Sequence, residues 1–250
     1  MYAKKSVLLH AKCAKMTVLA IETSTSVCSA ALSMDGQTIA SRINREGTNH
    51  ARLLPIFVEE LLTELKARSL QLDAVALSEG PGSYTGLRIG ASMAKGLCYG
   101  FNIPLVPIAT TEVLCAAIMA KRSIQEGDYL LPMIDARRME VYTALYRVQN
   151  GIPVLQNNIT AKVMESPKSV EWGDGKNYYF GDGAEKCEAL FAENADFIAD
   201  IVPDAAEMSQ LVITHIKDKK NCLTGTDLAY YEPFYLKEFI AAQSHVKGLV

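Results

Sequence analysis

Hydrophobic and polar positions alternate along this chain in a way that predicts short strands first and a long helix after them. Two apolar, β-branched runs, Thr17–Ile21 and Val27–Met34, have the length of buried strands, and a third strand is predicted over Gln37–Arg42. The pair Asp35-Gly36 between the second and third runs is typical of a tight hairpin turn. From Ala51 to Arg68 the apolar positions recur at helical spacing, so we predict a helix there.

A glycine-rich segment, Gly80–Gly90, separates a predicted buried strand over Leu72–Leu77 from a predicted helix over Leu87–Tyr99. Glycine permits positive φ angles and close approach of the backbone to another group. Either Ser83 or Thr85 is suited to cap the helix, whose free N–H groups and positive dipole end then face outward. The spacing matches neither a Rossmann fingerprint nor a Walker P-loop. The segment is therefore a plain strand-to-helix turn, or a place for a phosphate, a carboxylate or a partner chain.

The second half of the chain repeats the plan of the first. Both copies contain a strand that ends in an acidic residue, a short turn, a second strand and a hairpin with glycine. Such a duplication predicts two α/β lobes with a cleft between them. The matching segments are Ile21-Glu22 with Ile134-Asp135, Ala31-Leu32 with Ala144-Leu145, and Asp35-Gly36 with Asn150-Gly151.

The lobe boundary is predicted at two prolines, Pro104 and Pro107, which mark the crossover. Downstream we predict a loop over 165–178, a strand over Asn177–Phe180 and a helix over Ala184–Ala195. The predicted units are a flexible extension over 1–16 (or a region upstream of a true start at Met16), a first lobe over 17–103 joined by a returning segment near 206–222, and a second lobe over 104–250.

Composition excludes several classes of function. The net charge is −3 and the basic residues are scattered, apart from Lys217, Lys219 and Lys220, so the sequence offers no platform for nucleic acid. The six cysteines are widely spaced and include no Cys-x-x-Cys pair, which favours reduced thiols in a cytoplasmic protein. No apolar run approaches the roughly 18 residues that a membrane span requires, so no membrane partner is expected.

Two predicted helices have more apolar or close-packing surface than the core requires. On the helix over Ala51–Arg68 the apolar side chains cover roughly 240° of the circumference. The helix over Leu87–Tyr99 has small residues that allow a second helix to approach closely. We predict a subunit interface there, the alternative being that both helices only cover a central sheet. The predicted interface residues are Leu54, Phe57, Leu61, Met93 and Leu97.

Four segments in combination resemble the TsaB (YeaZ) family, a paralogue of the TsaD enzymes, formerly called glycoproteases and similar to peptidase M22. They are Ala20–Ser24, Asn49-His50 before the leucine-rich helix, Gly80–Gly90, and Ile134–Arg137 followed by Glu140–Tyr142. The resemblance extends from Thr17 to about Leu236. It implies a two-lobed α/β fold of the actin/Hsp70/sugar-kinase type, in which each lobe is a mixed β-sheet with flanking helices.

The resemblance also implies a function in making threonylcarbamoyladenosine next to the anticodon of tRNA. The chain would be a non-catalytic subunit that forms a heterodimer with the TsaD transferase through the two helices of its first lobe. A TsaE ATPase would join that pair, and TsaC would supply threonylcarbamoyl-adenylate. Contact with tRNA would be indirect, through the complex.

The comparison with TsaD implies that this chain has lost the catalytic metal site. In TsaD-type chains two histidines, four residues apart on one helix, bind the metal, and this chain has Thr110 and Leu114 at those positions. A threonine hydroxyl and a leucine side chain do not replace imidazole ligands. We therefore expect no metal site and no catalytic residue in this chain.

A phosphate site is the remaining candidate for chemistry. Glu22 ends the first strand, where actin-like folds have an Asp-x-Gly phosphate turn, but Ser24 and, in the second copy, Arg137 replace the glycines. We expect no cofactor in the isolated chain and ATP or ADP only at a subunit boundary. The alternatives are an ATP-dependent phosphotransferase, an M22-type metallopeptidase and a self-pairing homodimer. The candidate nucleotide or phosphate contacts are Glu22, Thr23, Ser24, Gly82, Ser83, Thr85 and Arg88.

Overall fold

The computed structural model describes residues 15–47, 49–191, 193–217 and 222–237. The predicted extension over 1–16 lies almost wholly outside the described residues. Within them the chain forms two mixed β-sheets with helices packed against both, one sheet in each half. This arrangement confirms the predicted two-lobed α/β fold of the actin/Hsp70/sugar-kinase type.

The first sheet has the strand order β3-β2-β1-β4-β5. Its first three strands pair antiparallel, and β4 and β5 add to β1 in parallel. The hairpin between β2 and β3 turns at Asp35 and Gly36, both with positive φ, as predicted. The strands are β1 (Thr17–Glu22), β2 (Cys28–Met34), β3 (Gln37–Asn44), β4 (Ala74–Gly80) and β5 (Leu105–Ala109).

The second sheet repeats this order and so supports the duplication seen in the sequence. Both β7 and β8 pair antiparallel with β6. On their other sides, β9 pairs antiparallel with β8 and β10 pairs antiparallel with β7. Strand β11 pairs parallel with β6, and β12 pairs parallel with β11. The strands that correspond to β2 and β3 are thus each broken in two. The strands are β6 (Tyr129–Asp135), β7 (Glu140–Thr143), β8 (Tyr146–Gln149), β9 (Ile152–Leu155), β10 (Thr160–Val163), β11 (Asn177–Phe180) and β12 (Asp196–Ile198).

Helices cover both faces of the first sheet. Buried side chains of α1 and α2 pack on one face, and those of α3 and α5 pack on the other. Helix α3 also packs against the second sheet, so it lies between the lobes. No helix among the described residues is long and apolar enough to cross a bilayer. The helices are α1 (His50–Ala67), α2 (Tyr84–Phe101), α3 (Thr110–Lys121), α4 (Glu188–Phe191), α5 (Met208–Lys217) and α6 (Gly225–Ala229).

The structure corrects the lobe boundary at 103/104. Strand β5 pairs with β4, so it belongs to the first sheet rather than to a crossover. Pro107 lies within this strand, where it is tolerated because β5 is at the sheet edge. The segment 205–217 packs on the first sheet as well.

The predicted helix over Ala184–Ala195 is also corrected. It is only a 3-10 turn over 185–187 followed by the single turn of α4, because the chain must become extended again at Asp196 to form β12 beside β11. Buried Cys187 and Phe191 anchor the short helical stretch to the core.

Candidate functional site

The glycine turn and the turn after β1 pack directly against each other. The amide of Ser83 donates a hydrogen bond of 2.6 Å to the carbonyl oxygen of Ser24. The hydroxyl of Thr23 donates one of 2.9 Å to the carbonyl oxygen of Gly86. The two segments predicted to contact a phosphate therefore lie side by side. These polar groups, however, bond to each other rather than to a ligand.

The glycines are required for this close packing. A Cβ atom at Gly82 would overlap the carbonyl oxygen of Ser24, and one at Gly86 would overlap that of Thr23. A Cβ atom at Gly90, one helical turn further along α2, would overlap the Thr23 hydroxyl. The close backbone approach that the sequence predicted is thus an approach to the protein's own chain.

Burial divides the candidate phosphate contacts into two groups. Glu22, Thr23 and Ser24 have no exposed surface, so no ligand reaches them in this structure. At the start of α2, by contrast, Ser83, Thr85 and Arg88 are exposed and Gly82 is partly exposed. The hydroxyl of Ser83 caps α2 by accepting a hydrogen bond of 3.3 Å from the amide of Gly86.

Glu22 is a buried acid whose surroundings favour its neutral form. Its Oε1 accepts hydrogen bonds from the amide and hydroxyl of Ser24 at 2.5 and 2.6 Å, whereas Oε2 has no partner among the described residues. Burial raises the pKa of the Glu22 carboxyl above its ordinary value, although the bonds from Ser24 oppose the shift. The inaccessible carboxyl, bonded to Ser24, holds the turn in place and is not positioned to act on a substrate.

We expect Glu22→Gln to be at least as stable as the natural chain at pH 7. The raised pKa means that the folded chain binds the Glu22 proton more tightly than the unfolded chain does. The stability contributed by Glu22 is thus fully present below the unfolded pKa and is lost as pH rises through the folded pKa. The glutamine variant lacks this loss. Urea unfolding measures the free energy of unfolding of both chains as pH rises from the unfolded to the folded pKa of Glu22. The variant should gain stability relative to the natural chain over this range. A difference in free energy that does not change with pH would contradict the raised pKa of Glu22.

The two positions that the resemblance to TsaD compares with metal-binding histidines are filled by core packing. Thr110 and Leu114 are both fully buried in α3, and the Thr110 hydroxyl forms a hydrogen bond of 2.8 Å with that of Ser78. Glu112, between them in sequence, pairs with His215 at 3.0 Å. In the described part of the chain, no three His, Cys, Asp or Glu side chains are grouped so that they could hold a metal ion.

The acidic residue at the end of β6 is also engaged within the chain. Lys186 pairs with the carboxylate of Asp135 and donates to the carbonyl oxygen of Glu140 at 2.7 Å. The amide of Asp135 donates to Asp182 at 3.0 Å. The carboxylate of Asp135 is thus paired with a lysine of the same chain.

A C-terminal segment, 231–237, crosses the glycine turn and joins the two lobes. The amide of Phe234 donates a hydrogen bond of 2.8 Å to the carbonyl oxygen of Glu79, and the ring of Tyr235 lies 5.0 Å from that of Tyr84. Lys237 then pairs with Glu140 of the second lobe. This segment is not predicted from the sequence, because it has no regular periodicity.

The outward side of α1 and α2 is a candidate surface for another protein. It includes two exposed apolar side chains, namely Ile56 of α1 (45% exposed) and Tyr99 of α2 (87%). Gly96 and Gly100 are exposed on α2, and nothing lies within 4 Å of a Cβ atom at either position. We call this surface the α1–α2 face.

The structure corrects part of the predicted interface. Leu54 and Leu61 are fully buried in the core beneath α1, because they point at the sheet, and so they are not available to a partner. Phe57, Met93 and Leu97 are only partly buried and border the α1–α2 face. A groove of about 490 Å³ lies at one end of this face, between the first turn of α1 and the first half of α2, lined by Ala51, Tyr84, Thr85, Arg88, Ile89, Ser92 and Met93.

Comparison with known proteins decides which family this architecture represents. The family model of TsaD, tRNA N6-adenosine threonylcarbamoyltransferase, matches residues 39–221. The tRNA threonylcarbamoyladenosine biosynthesis protein TsaB of Escherichia coli K12 is 31% identical over 239 residues, which cover 90% of this chain and 96% of that protein. This chain belongs to the TsaB (YeaZ) family. The resemblance found in the sequence motifs is thereby confirmed.

Other members of the TsaB family agree with this assignment. YeaZ from Pseudomonas aeruginosa, a solved structure, is 26% identical with a TM-score of 0.74 and covers 88% of this chain and 100% of its own. TsaB of Haemophilus influenzae is 37% identical over 127 residues, and the matched region covers 51% of this chain and 52% of that protein's length. The match to TsaB of Bacillus subtilis covers 58% of that protein.

Proposed function

We propose that this chain is a non-catalytic subunit required for threonylcarbamoyl transfer to tRNA, and that it acts by forming a heterodimer with a TsaD-type transferase. The observation that supports this most is the α1–α2 face, where apolar side chains and two glycines of α2 are exposed together on one side of the first lobe. Exposed apolar patches on a soluble fold are typical of protein interfaces.

Small residues give this face a specific geometry. Ser92, Gly96 and Gly100 are four residues apart, so they lie along one side of α2 and are all exposed. A helix of the partner can approach closely along such a stripe, while Ile56 and Phe57 of α1 offer apolar contact beside it. Pairing of this face with a second copy of the chain is the alternative when the partner is missing.

The absence of catalysis is proposed from what occupies the candidate chemical positions. Glu22 is buried and favours its neutral form, Asp135 pairs with Lys186, and Thr110 and Leu114 fill the core. A phosphotransferase requires an accessible base and phosphate loops, and a metallopeptidase requires metal ligands. Neither alternative enzyme has the side chains that it requires at these positions.

A nucleotide, if bound at all, is proposed to bind at the boundary with the partner. Ser83, Thr85 and Arg88 are exposed at the start of α2, next to the groove of the α1–α2 face. A TsaE-type ATPase is proposed to join the heterodimer, and the complex to bind tRNA. We propose that this assembly is cytoplasmic, since the six cysteines are widely spaced and include no Cys-x-x-Cys pair.

Threonylcarbamoyl transfer to tRNA, measured with the purified transferase, ATPase and donor-forming enzyme, tests this function. We expect transfer only when this chain is added, because the transferase depends on its docked partner. The chain without the transferase should give no transfer. Unchanged transfer in its absence would contradict the proposal.

A further inference from the structure

Two consecutive arginines, Arg137 and Arg138, form the tip of the hairpin between β6 and β7 in an unusual backbone conformation. Their φ angles are +73° and +52°, in the left-handed region that long side chains rarely adopt. The hairpin holds them there. The amide of Ala136 donates to the carbonyl oxygen of Glu140, and the amide of Glu140 donates to that of Arg137, both at 3.1 Å.

The residue types at other left-handed positions show why this pair is notable. Among the described residues, the other non-glycine residues with positive φ are short and polar, and Asp and Asn tolerate this region well. They are Asp35, Ser69, Asn102, Asn150 and Asp200. Asn-Gly would fit the hairpin tip with far less strain. The strain at this tip therefore points to a role for the arginine side chains outside the folding of the hairpin.

Neither the Arg137 nor the Arg138 guanidinium has a carboxylate partner among the described residues. The nearby carboxylates are already paired, Asp135 with Lys186 and Glu140 with Lys237. Both arginines are exposed, and within the described part of the chain neither guanidinium forms a hydrogen bond or ion pair. Two adjacent guanidinium groups are thus presented to solvent on a pinned backbone.

We propose that Arg137 and Arg138 bind the phosphate backbone of the tRNA substrate in the assembled complex. This inference rests on the proposed function and deepens it by assigning this chain a direct contact with RNA. Guanidinium groups bind phosphate oxygens through paired N–H donors. The chain as a whole has a net charge of −3, so nonspecific electrostatic attraction does not bind RNA to it. Contact between this chain and RNA therefore requires a local cluster of positive charge on a rigid backbone.

The test is equilibrium binding of an unmodified tRNA transcript to the complex of this chain with its transferase, measured by fluorescence anisotropy over a series of salt concentrations. For Arg137→Gly/Arg138→Gly we expect about tenfold weaker binding and a salt slope reduced by about 1 to 2, since each lost phosphate contact lowers the slope by about 1. The same variant should melt at a higher temperature, because glycine relieves the left-handed strain.

Three further variants distinguish loss of the arginine charges from relief of backbone strain and from loss of charge elsewhere on the surface. Arg137→Gln/Arg138→Gln removes charge without relieving strain and should bind tRNA as weakly as the glycine variant. Arg137→Lys/Arg138→Lys should keep most of the salt slope. A control that removes two exposed charges elsewhere, Arg122→Gln/Lys168→Gln, should bind like the natural chain.

Unchanged tRNA affinity and salt slope in a folded glycine variant would overturn the inference. Loss of transferase binding by that variant would also overturn it, because the arginines would then contact an acidic protein surface. The proposed function fails on a different result: threonylcarbamoyl transfer by the transferase in the absence of this chain. The tRNA-binding result and the transfer result are therefore distinguishable.

Discussion

A Gly96→Glu chain is expected to stay folded and to lose its association with the transferase. Gly96 is exposed within α2, and a Cβ atom there meets nothing within 4 Å, so the added side chain creates no clash. Replacing a helical glycine should even stabilise the isolated chain slightly, by at most ~1 kcal/mol. At a docked helix–helix contact, however, an unpaired charge should cost at least ~2 kcal/mol, or about a 30-fold loss of affinity.

Light scattering of the chain mixed with transferase measures this effect as the mass of the complex. Ala120→Glu is the matched control, because it adds the same charge to an exposed helical position on α3, away from the α1–α2 face. The control should associate at natural strength. A folded Gly96→Glu chain that associates equally well would show that the partner docks elsewhere.

Gly86→Ala is expected to destabilise the chain by about 3 kcal/mol or more, since severe overpacking at a fixed backbone contact is among the costliest substitutions. The added methyl would overlap the carbonyl oxygen of Thr23, whose hydroxyl is itself bonded to Gly86. Neither backbone segment moves easily, because one directly follows β1 and the other is the first turn of α2.

The same substitution about four turns further along the same helix, at the exposed Gly100, gives the control for this effect. Gly100→Ala should raise stability by about 0.5–1 kcal/mol, because it adds helix propensity in open space. Urea unfolding of both variants measures the difference. Equal stability of Gly86→Ala and the natural chain would contradict the packing of the glycine turn on the β1 turn.

Local patterns in the sequence predicted most of the first lobe. The runs that became β1 and β2 are apolar and β-branched, Asp35-Gly36 is a strong turn signal, and the two long helices have clear periodicity. These features depend on neighbours in the chain, so they are visible without the fold. The duplication was visible for the same reason, since the two lobes share the strand order of their sheets.

The features that were missed depend on contacts between distant segments. Leu61 belongs to a wide apolar arc of α1, and sequence alone does not show which part of that arc faces the sheet. The burial of Glu22 results from packing against a turn some sixty residues further on. The sequence predicts a crossover at Pro107, because the place of this proline in an edge strand depends on pairing with β4, which local pattern does not show.

The candidate site was predicted only in outline. The glycine turn was correctly placed between β4 and α2, but the sequence did not show that its glycines contact Thr23 and Ser24. The left-handed Arg137 and Arg138 were not foreseen, because no glycine or asparagine marks that turn. The segment 231–237 was likewise missed, because its contacts lie on both lobes rather than within one element.

The rate of threonylcarbamoyl transfer at a fixed concentration of transferase, measured as this chain is titrated in, tests the account most directly. The account predicts a rate that rises from background and reaches a plateau at one chain per transferase, with no rise for Gly96→Glu and a normal rise for Ala120→Glu. A rate that does not depend on the chain, or transfer by the chain without the transferase, would contradict it.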